Sequence, residues 1–350
     1  MNGWRLVVSC VATVHINDVT AGAAGSPAHI IIDTDMSTDV DDVGALCLAH
    51  SLQSAGEAVI EAVVHNAGFA GGAGAVSAIN HWFNRDSIPI GSYAGGVGAF
   101  NSSYVDELVS RFPGPIKRAN EAPSAVRVYR STLAAANASS ITIASIGFVT
   151  NLHALLASTA DELSPLSGLA LVATKVMRLV MMGGHYSGGM RRSEWNFGGL
   201  GIGGTIGRIT NETLERWPPS VPVTFLGFEV GVGVQSGSSL RHAPDGPCRA
   251  AYELWCKATL IGCSANGGRS SWDPMTVLLA VRAEQPDLYL LHKGGHNRVD
   301  PKTGNNTWSP IPPSGGDGQQ GYLVLKPDAG PRAARELDAL LCPANATSNM

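Results

Sequence analysis

Apolar residues fall along this chain in two rhythms. One is short and continuous, rich in β-branched side chains, at 30–32, 58–64, 88–91, 141–147, 176–182, 221–227 and 322–325. Runs of that length without polar alternation predict strands buried on both faces. The other spaces its apolar positions three and four apart, predicting helices over 41–52, 75–83, 124–136, 150–157, 250–261, 273–281 and 332–341. Alternating in this order, the two predict an α/β fold: an open, mostly parallel central sheet flanked by helices, Rossmann-like in kind. The glycine-rich stretch 71–74 breaks the chain before the second helix, and 95–104 reads as an exposed loop. The Gly, Pro, Asn and Ser of 300–321 read as a long loop or hairpin.

Size and charge narrow the picture. With 350 residues, 44% of them hydrophobic, one large domain over 28–343 is expected, leaving 1–27 and 344–350 outside it. Lys and Arg number 24 against 28 Asp and Glu, with no basic cluster among aromatics, which argues against nucleic acid as a partner. No apolar run approaches the roughly 20 residues that span a bilayer. The sequence leaves the oligomeric state open, a homo-oligomer included.

The first 27 residues read as a weak signal peptide, with a disordered tail as the alternative. Asn-x-Ser/Thr sequons at Asn101, Asn137, Asn211, Asn305 and Asn345 favour a secreted or endomembrane location over a cytoplasmic one, and a glycoprotein. Of the cysteines, Cys10 falls in the leader and Cys47 on an apolar helical face. That leaves Cys248, Cys256, Cys263 and Cys342 as disulfide candidates. No CxxC occurs, so zinc is not indicated.

Candidate chemistry concentrates where the first strand meets the first helix. Asp33, Asp35, Asp39, Asp41 and Asp42 crowd a single strand-to-helix turn at the carboxyl edge of the predicted sheet, where open α/β sheets place ligands. A helix cap needs one acid, whereas acids in this number repel one another unless a divalent cation sits among them or some are neutral. A hard, oxygen-ligating ion is the natural partner.

Asp33-Thr34-Asp35 followed by Asp41-Asp42 resembles the amino-terminal signature of the inosine-uridine-preferring nucleoside hydrolases, in a form two residues longer between the acid pairs. These are calcium-dependent N-ribosyl hydrolases of α/β fold. The resemblance continues through Ser145-Ile146-Gly147-Phe148-Val149-Thr150-Asn151, Glu194-Trp195-Asn196-Phe197 and Ser271-Trp272-Asp273-Pro274. It implies calcium ligated by Asp35, Asp42, Asp273 and the carbonyl of Ile146, with Asp35 also taking the proton of the attacking water. It further implies that Asp41, Asn66, Glu194 and Asn196 hold the ribose, with Trp195 and Trp272 in the substrate pocket. Glu194 and Asn196, two apart, would point the same way on an extended backbone.

Two departures stand out. Gly188 occupies a position where the family usually has a sugar-binding Asn. Trp272 replaces a His that can protonate the leaving base, and an indole cannot act as a general acid at neutral pH. Its ring offers instead a stacking surface that would weakly favour purine nucleosides. His185 is the nearest substitute acid, a loop histidine without a catalytic role being the plainer reading. Two other functions fit parts of the pattern: a haloacid-dehalogenase-like Mg²⁺ phosphatase with Asp33 as nucleophile, and a non-catalytic nucleoside or sugar binder.

Overall fold

In the computed structural model, residues 26–186, 194–199, 204–259, 263, 267–283, 285–310 and 319–342 are described. The chain runs β1 (Ala28–Thr34), α1 (Asp41–Ser54), β2 (Ala58–His65), α2 (Gly72–Trp82), β3 (Ile90–Ser92), α3 (Val105–Arg111), α4 (Ala125–Ala135), β4 (Ile141–Ile146), α5 (Thr150–Ala157), α6 (Gly168–Lys175) and β5 (Val176–Met182). It continues through α7 (Gly204–Arg216), β6 (Val223–Leu226), α8 (Phe228–Val232), β7 (Gln235–Ser236), α9 (Pro247–Ala258), β8 (Arg269–Ser270), α10 (Trp272–Arg282), β9 (Tyr289–Val299), β10 (Asn306–Ser309), β11 (Gln320–Leu325) and α11 (Ala329–Leu341).

Nine strands form one sheet in the order β10-β9-β11-β6-β5-β4-β1-β2-β3, parallel from β11 to β3, with β9 and β10 added antiparallel. From β1 the chain moves outward through β2 to β3, then returns to lay β4 on the other side of β1. That reversal opens a crevice at the carboxyl ends of β1 and β4, the usual ligand site of such sheets. Strand pleating explains why Ile30–Ile32 read as one continuous run. Ile30 and Ile32 pack with α1, α10 and α11 in one core, and Ile31 with α4 to α7 in a second.

The predicted strands and helices recur, with differences. The helix expected from residue 75 begins at Gly72, inside the glycine run taken as a breaker. A Cβ at Gly72 would lie 2.0 Å from His65 Nε2, so glycine serves close helix–strand packing there. Helices α3 and α7 and the long strand β9, all rich in polar residues, and the short apolar helix α6 are not among the predicted elements. The stretch 300–321, read as a long loop or hairpin, holds β10, which pairs antiparallel with β9, and its residues 311–318 are outside the described residues.

The cysteines also differ from expectation. Cys47 pairs with Cys248, fastening α1 to α9, and Cys256 pairs with Cys263. Cys342 belongs to neither pair, and Cys10 lies outside the described residues. No helix among the described residues is long and apolar enough to cross a membrane.

Candidate active site

The acid turn lies at the crevice. Asp35 and Met36 leave β1, and Asp41 and Asp42 open α1 at its amino end, where the helix dipole favours negative charge. The amino end of α10 faces it, placing Asp273 beside them. Carboxylate oxygens of Asp41, Asp42 and Asp273 all lie within 4.8 Å of one another, with each residue no more than 5% exposed. Thr34 Oγ1 donates to Asp42, and the Asp273 backbone N–H donates to Asp41 Oδ2 at 3.2 Å.

A cavity of about 260 Å³ opens over these acids, lined by Asp35, Ile146, Glu194, Asn196 and Asp273 among others. Burial pushes Asp35 up to about 7, helped by Glu194 and Asp39. Glu194 also reaches about 7 through burial, against the backbone N–H groups that hold it. Asp41, Asp42 and Asp273 are driven well above the usual carboxylate range, first by burial and then by neighbouring acids.

The turn after β4 comes against Asp35. A Cβ on Gly147 would lie 2.5 Å from the Asp35 backbone nitrogen, so only glycine permits this approach. Ile146, just before it, lines the cavity.

Glu194 and Asn196 line the cavity too, on a turn and not on the expected extended backbone. The Glu194 carboxylate bends that turn. Its Oε1 accepts from Asn196 N–H at 2.8 Å, and its Oε2 from Gly184 and Phe197 N–H at 3.1 and 3.2 Å. Asn196 Nδ2 donates to the Met182 carbonyl at 3.3 Å. Gly188 lies outside the described residues.

Asp35, Asp41, Asp42, Ile146, Glu194, Trp195, Asn196, Trp272 and Asp273 thus meet in one cavity. Asp41, expected at the ribose, belongs to the tight carboxylate triad, and Asp35, expected as a ligand, stands beside that triad. Asn66 does not line the cavity. It is fully buried, donating to Asp33 Oδ1 at 2.9 Å and accepting from Phe148 N–H at 3.0 Å. Trp272 donates its Nε1–H to the Phe228 carbonyl at 2.7 Å.

The sequence reading gave Asp39, one of the five acids of the turn, no role of its own and passed over Arg269. They form a salt bridge on the cavity wall, and the guanidinium lies 4.7 Å from the rings of both Trp255 and Trp272. Arg269 is the cavity's one basic residue among those described. Its only signal was its place just ahead of Ser271-Trp272-Asp273. Met182 and Phe228, also on the wall, could have been found from their positions at the ends of predicted parallel strands.

Residues 30–199 match the model of a family described as inosine-uridine preferring nucleoside hydrolase. Among solved structures, a plant nucleoside hydrolase shares 17% identity over 91% of this chain and 99% of its own, with a TM-score of 0.64. An inosine-guanosine nucleoside hydrolase shares 16% over 90% and 98%, also at 0.64. The type III effector protein XopQ, solved with adenosine diphosphate ribose, shares 16% over 91% and 94%, at 0.62. At these identities the likeness to solved structures is one of fold. Comparison with curated proteins finds no significant match. The matched stretch carries the acid turn, the Gly147 turn and the Glu194 turn, which the fold then sets around one cavity, and over residues 30–199 the chain is similar to the inosine-uridine preferring nucleoside hydrolase family.

Proposed function

We propose that this chain hydrolyses the N-glycosidic bond of ribonucleosides, releasing base and ribose, with a calcium ion at the acid cluster. The observation that carries the reading is the convergence of Asp41, Asp42 and Asp273 within 4.8 Å, in a cavity whose wall includes Asp35. Buried acids this close suit a hard cation, which relieves their repulsion and takes oxygen ligands. Asp42, Asp273, Asp41 and the Ile146 carbonyl would hold it, with Asp35 at its edge. Bound there, the ion supplies a Lewis-acidic centre for a water and the ribose hydroxyls.

The protein's own groups do the rest. Asp35, raised to about 7, is suited to accept the water's proton near neutral pH. Glu194 and Asn196, held on a buried turn, are placed to grip ribose hydroxyls as the ring flattens toward an oxocarbenium-like transition state. Trp195, Phe228 and Trp272 give the cavity an aromatic wall, which supports a modest preference for purines, stacking being worth about 1–3 kcal/mol per base. The paired cysteines and the sequons support a secreted or endomembrane setting.

The phosphatase alternative loses its nucleophile. Asp33 is fully buried and accepts from Tyr129 Oη at 2.7 Å, Asn66 at 2.9 Å and Asn151 at 3.0 Å. The test is ribose and phosphate release from inosine and inosine monophosphate, with calcium and with chelator, for the native chain and Asp42→Ala. Ribose release that needs calcium and falls more than about 100-fold in Asp42→Ala is expected, since even outer-shell changes cost 10–100-fold. Near-normal ribose release by that variant would refute the metal assignment. Native protein that binds inosine without cleaving it would make the chain a binder.

A further inference from the structure

A departing base carries away the electron pair of its glycosidic bond and needs a proton, which Trp272 cannot give. The geometry points to His185 as the donor of that proton, oriented by Glu229. The inference rests on the nucleoside hydrolase reading and supplies the acid that reading lacks.

His185 follows β5 by three residues at the carboxyl edge of the sheet, where Met182 already lines the cavity. Its ring stacks on Phe228, with centroids 6.2 Å apart and planes 21° apart, and Phe228 is cavity wall, 5.4 Å from the Trp272 ring. The backbone that carries His185 is pinned at four successive points. Gly184 N–H donates to Glu194 Oε2 at 3.1 Å, and the Gly184 carbonyl accepts from Phe228 N–H at 2.9 Å. His185 N–H donates to Asn306 Oδ1 at 2.8 Å, and Tyr186 N–H to Glu229 Oε1 at 2.9 Å. Three of these four partners belong to the site's own wall or to the element beside it, so the backbone that carries the histidine is tied to that wall, with the ring set behind Phe228.

Glu229 supplies the second observation. Its Oε2 is buried and receives no hydrogen bond from any described residue, yet it stands 3.9 Å from His185 Nδ1. A carboxylate beside one ring nitrogen fixes the tautomer and leaves the other, Nε2, as the proton carrier, as in other paired histidines. The contact is long for a hydrogen bond, and catalytic contacts commonly tighten only when substrate binds. With 12% of its side chain exposed, His185 can exchange protons with water.

The step balances. The bond between C1′ and the base nitrogen breaks, and its electron pair passes to the base. The proton of His185 Nε2 adds to a purine at N7, directly or through one water, so the base leaves neutral. Hydroxide from the attacking water adds to C1′, and Asp35 takes the water's other proton. Solvent then returns one proton to His185 and removes one from Asp35.

The test compares inosine with 4-nitrophenyl β-D-ribofuranoside, whose nitrophenolate leaves without a proton. For His185→Gln, kcat on inosine should fall about 10²–10⁴-fold, the usual worth of general acid catalysis, and on the nitrophenyl riboside less than about tenfold. Glu229→Gln should shift the ratio of the two rates in the same direction, by a smaller factor. Calcium affinity matching the native protein in both variants shows that the site still folds. Equal losses on the two substrates, or no loss on inosine, would overturn the role of His185 alone. A native protein inactive on both would overturn the hydrolase reading, and this role with it.

Discussion

A carboxylate whose oxygens are already engaged has little freedom left to turn, and Glu194 is such a group. Three backbone N–H groups converge on it, so its orientation toward the cavity is set before substrate arrives. An amide in its place would set an NH₂ group against donors. Glu194→Gln should therefore lower kcat by about 100-fold for inosine, adenosine and uridine alike, since small misplacements of positioning groups cost on that order. Calcium affinity should hold. Steady-state kinetics on the three nucleosides with a calcium titration would decide it, and a loss confined to one base would move Glu194 to the base pocket. The identities of Glu194 and Asn196 were legible from the motif, but their backbone was not. A spacing of two reads as a strand, whereas the side chain of Glu194 itself caps the residues after it and folds a turn. Asn66 misled for a related reason: its strand-end position was right, but Asp33 and Phe148 claim its amide.

The elements around the acid loop clasp it from several directions. Trp255 of α9 donates to the Thr38 carbonyl at 2.9 Å, Tyr104 to the Asp39 carbonyl at 2.7 Å, and Arg269 pairs with the Asp39 carboxylate. The Cys47–Cys248 bond then ties α9 to α1, the helix that begins with Asp41 and Asp42. Replacing both cysteines by serine should cost about 2–5 kcal/mol of stability, the common range for a native disulfide. It should also weaken calcium binding, because α9 reaches the acid loop through Trp255. Denaturant unfolding and a calcium titration would read both, and an unchanged calcium affinity would mean that α9 does not steady the loop. The sequence hid this clasp. Cys47 sits in an apolar helical rhythm that looks like plain core, and its partner lies 201 residues away. The acids were visible because five in one turn have few structural uses. Arg269 was not, since its meaning depends on a loop far away in sequence.

For the whole molecule, the buried acids link folding to pH and, at the proposed metal site, would link it to the cation. Asp33, Asp35 and Glu194 are each raised to about 7, mainly by burial. Their folded values stand above the unfolded ones, so the folded chain holds more protons between about pH 4 and 7, and stability falls as pH rises through that window. Calcium at the proposed site would enter only the deprotonated cluster, so its affinity should grow over the same range. Chelated protein should therefore melt lower at pH 7.5 than at pH 5, and saturating calcium should flatten or reverse that slope. A melting temperature that rises with pH in chelator would contradict this. The parallel sheet was readable because strands buried on both faces leave unbroken apolar runs, while most of β9 and β10 at the edge is polar. The reversal that sets β4 beside β1 has one more consequence. Asp42 and Asp273 lie far apart in sequence, on α1 and α10, and meet only after the polypeptide has crossed back over its first strand. A half-made chain therefore carries repelling acids on an unfinished helix end, with nothing for an ion to join. An ion bound by these acids would therefore act on the completed molecule, slowing its opening rather than hastening its closing.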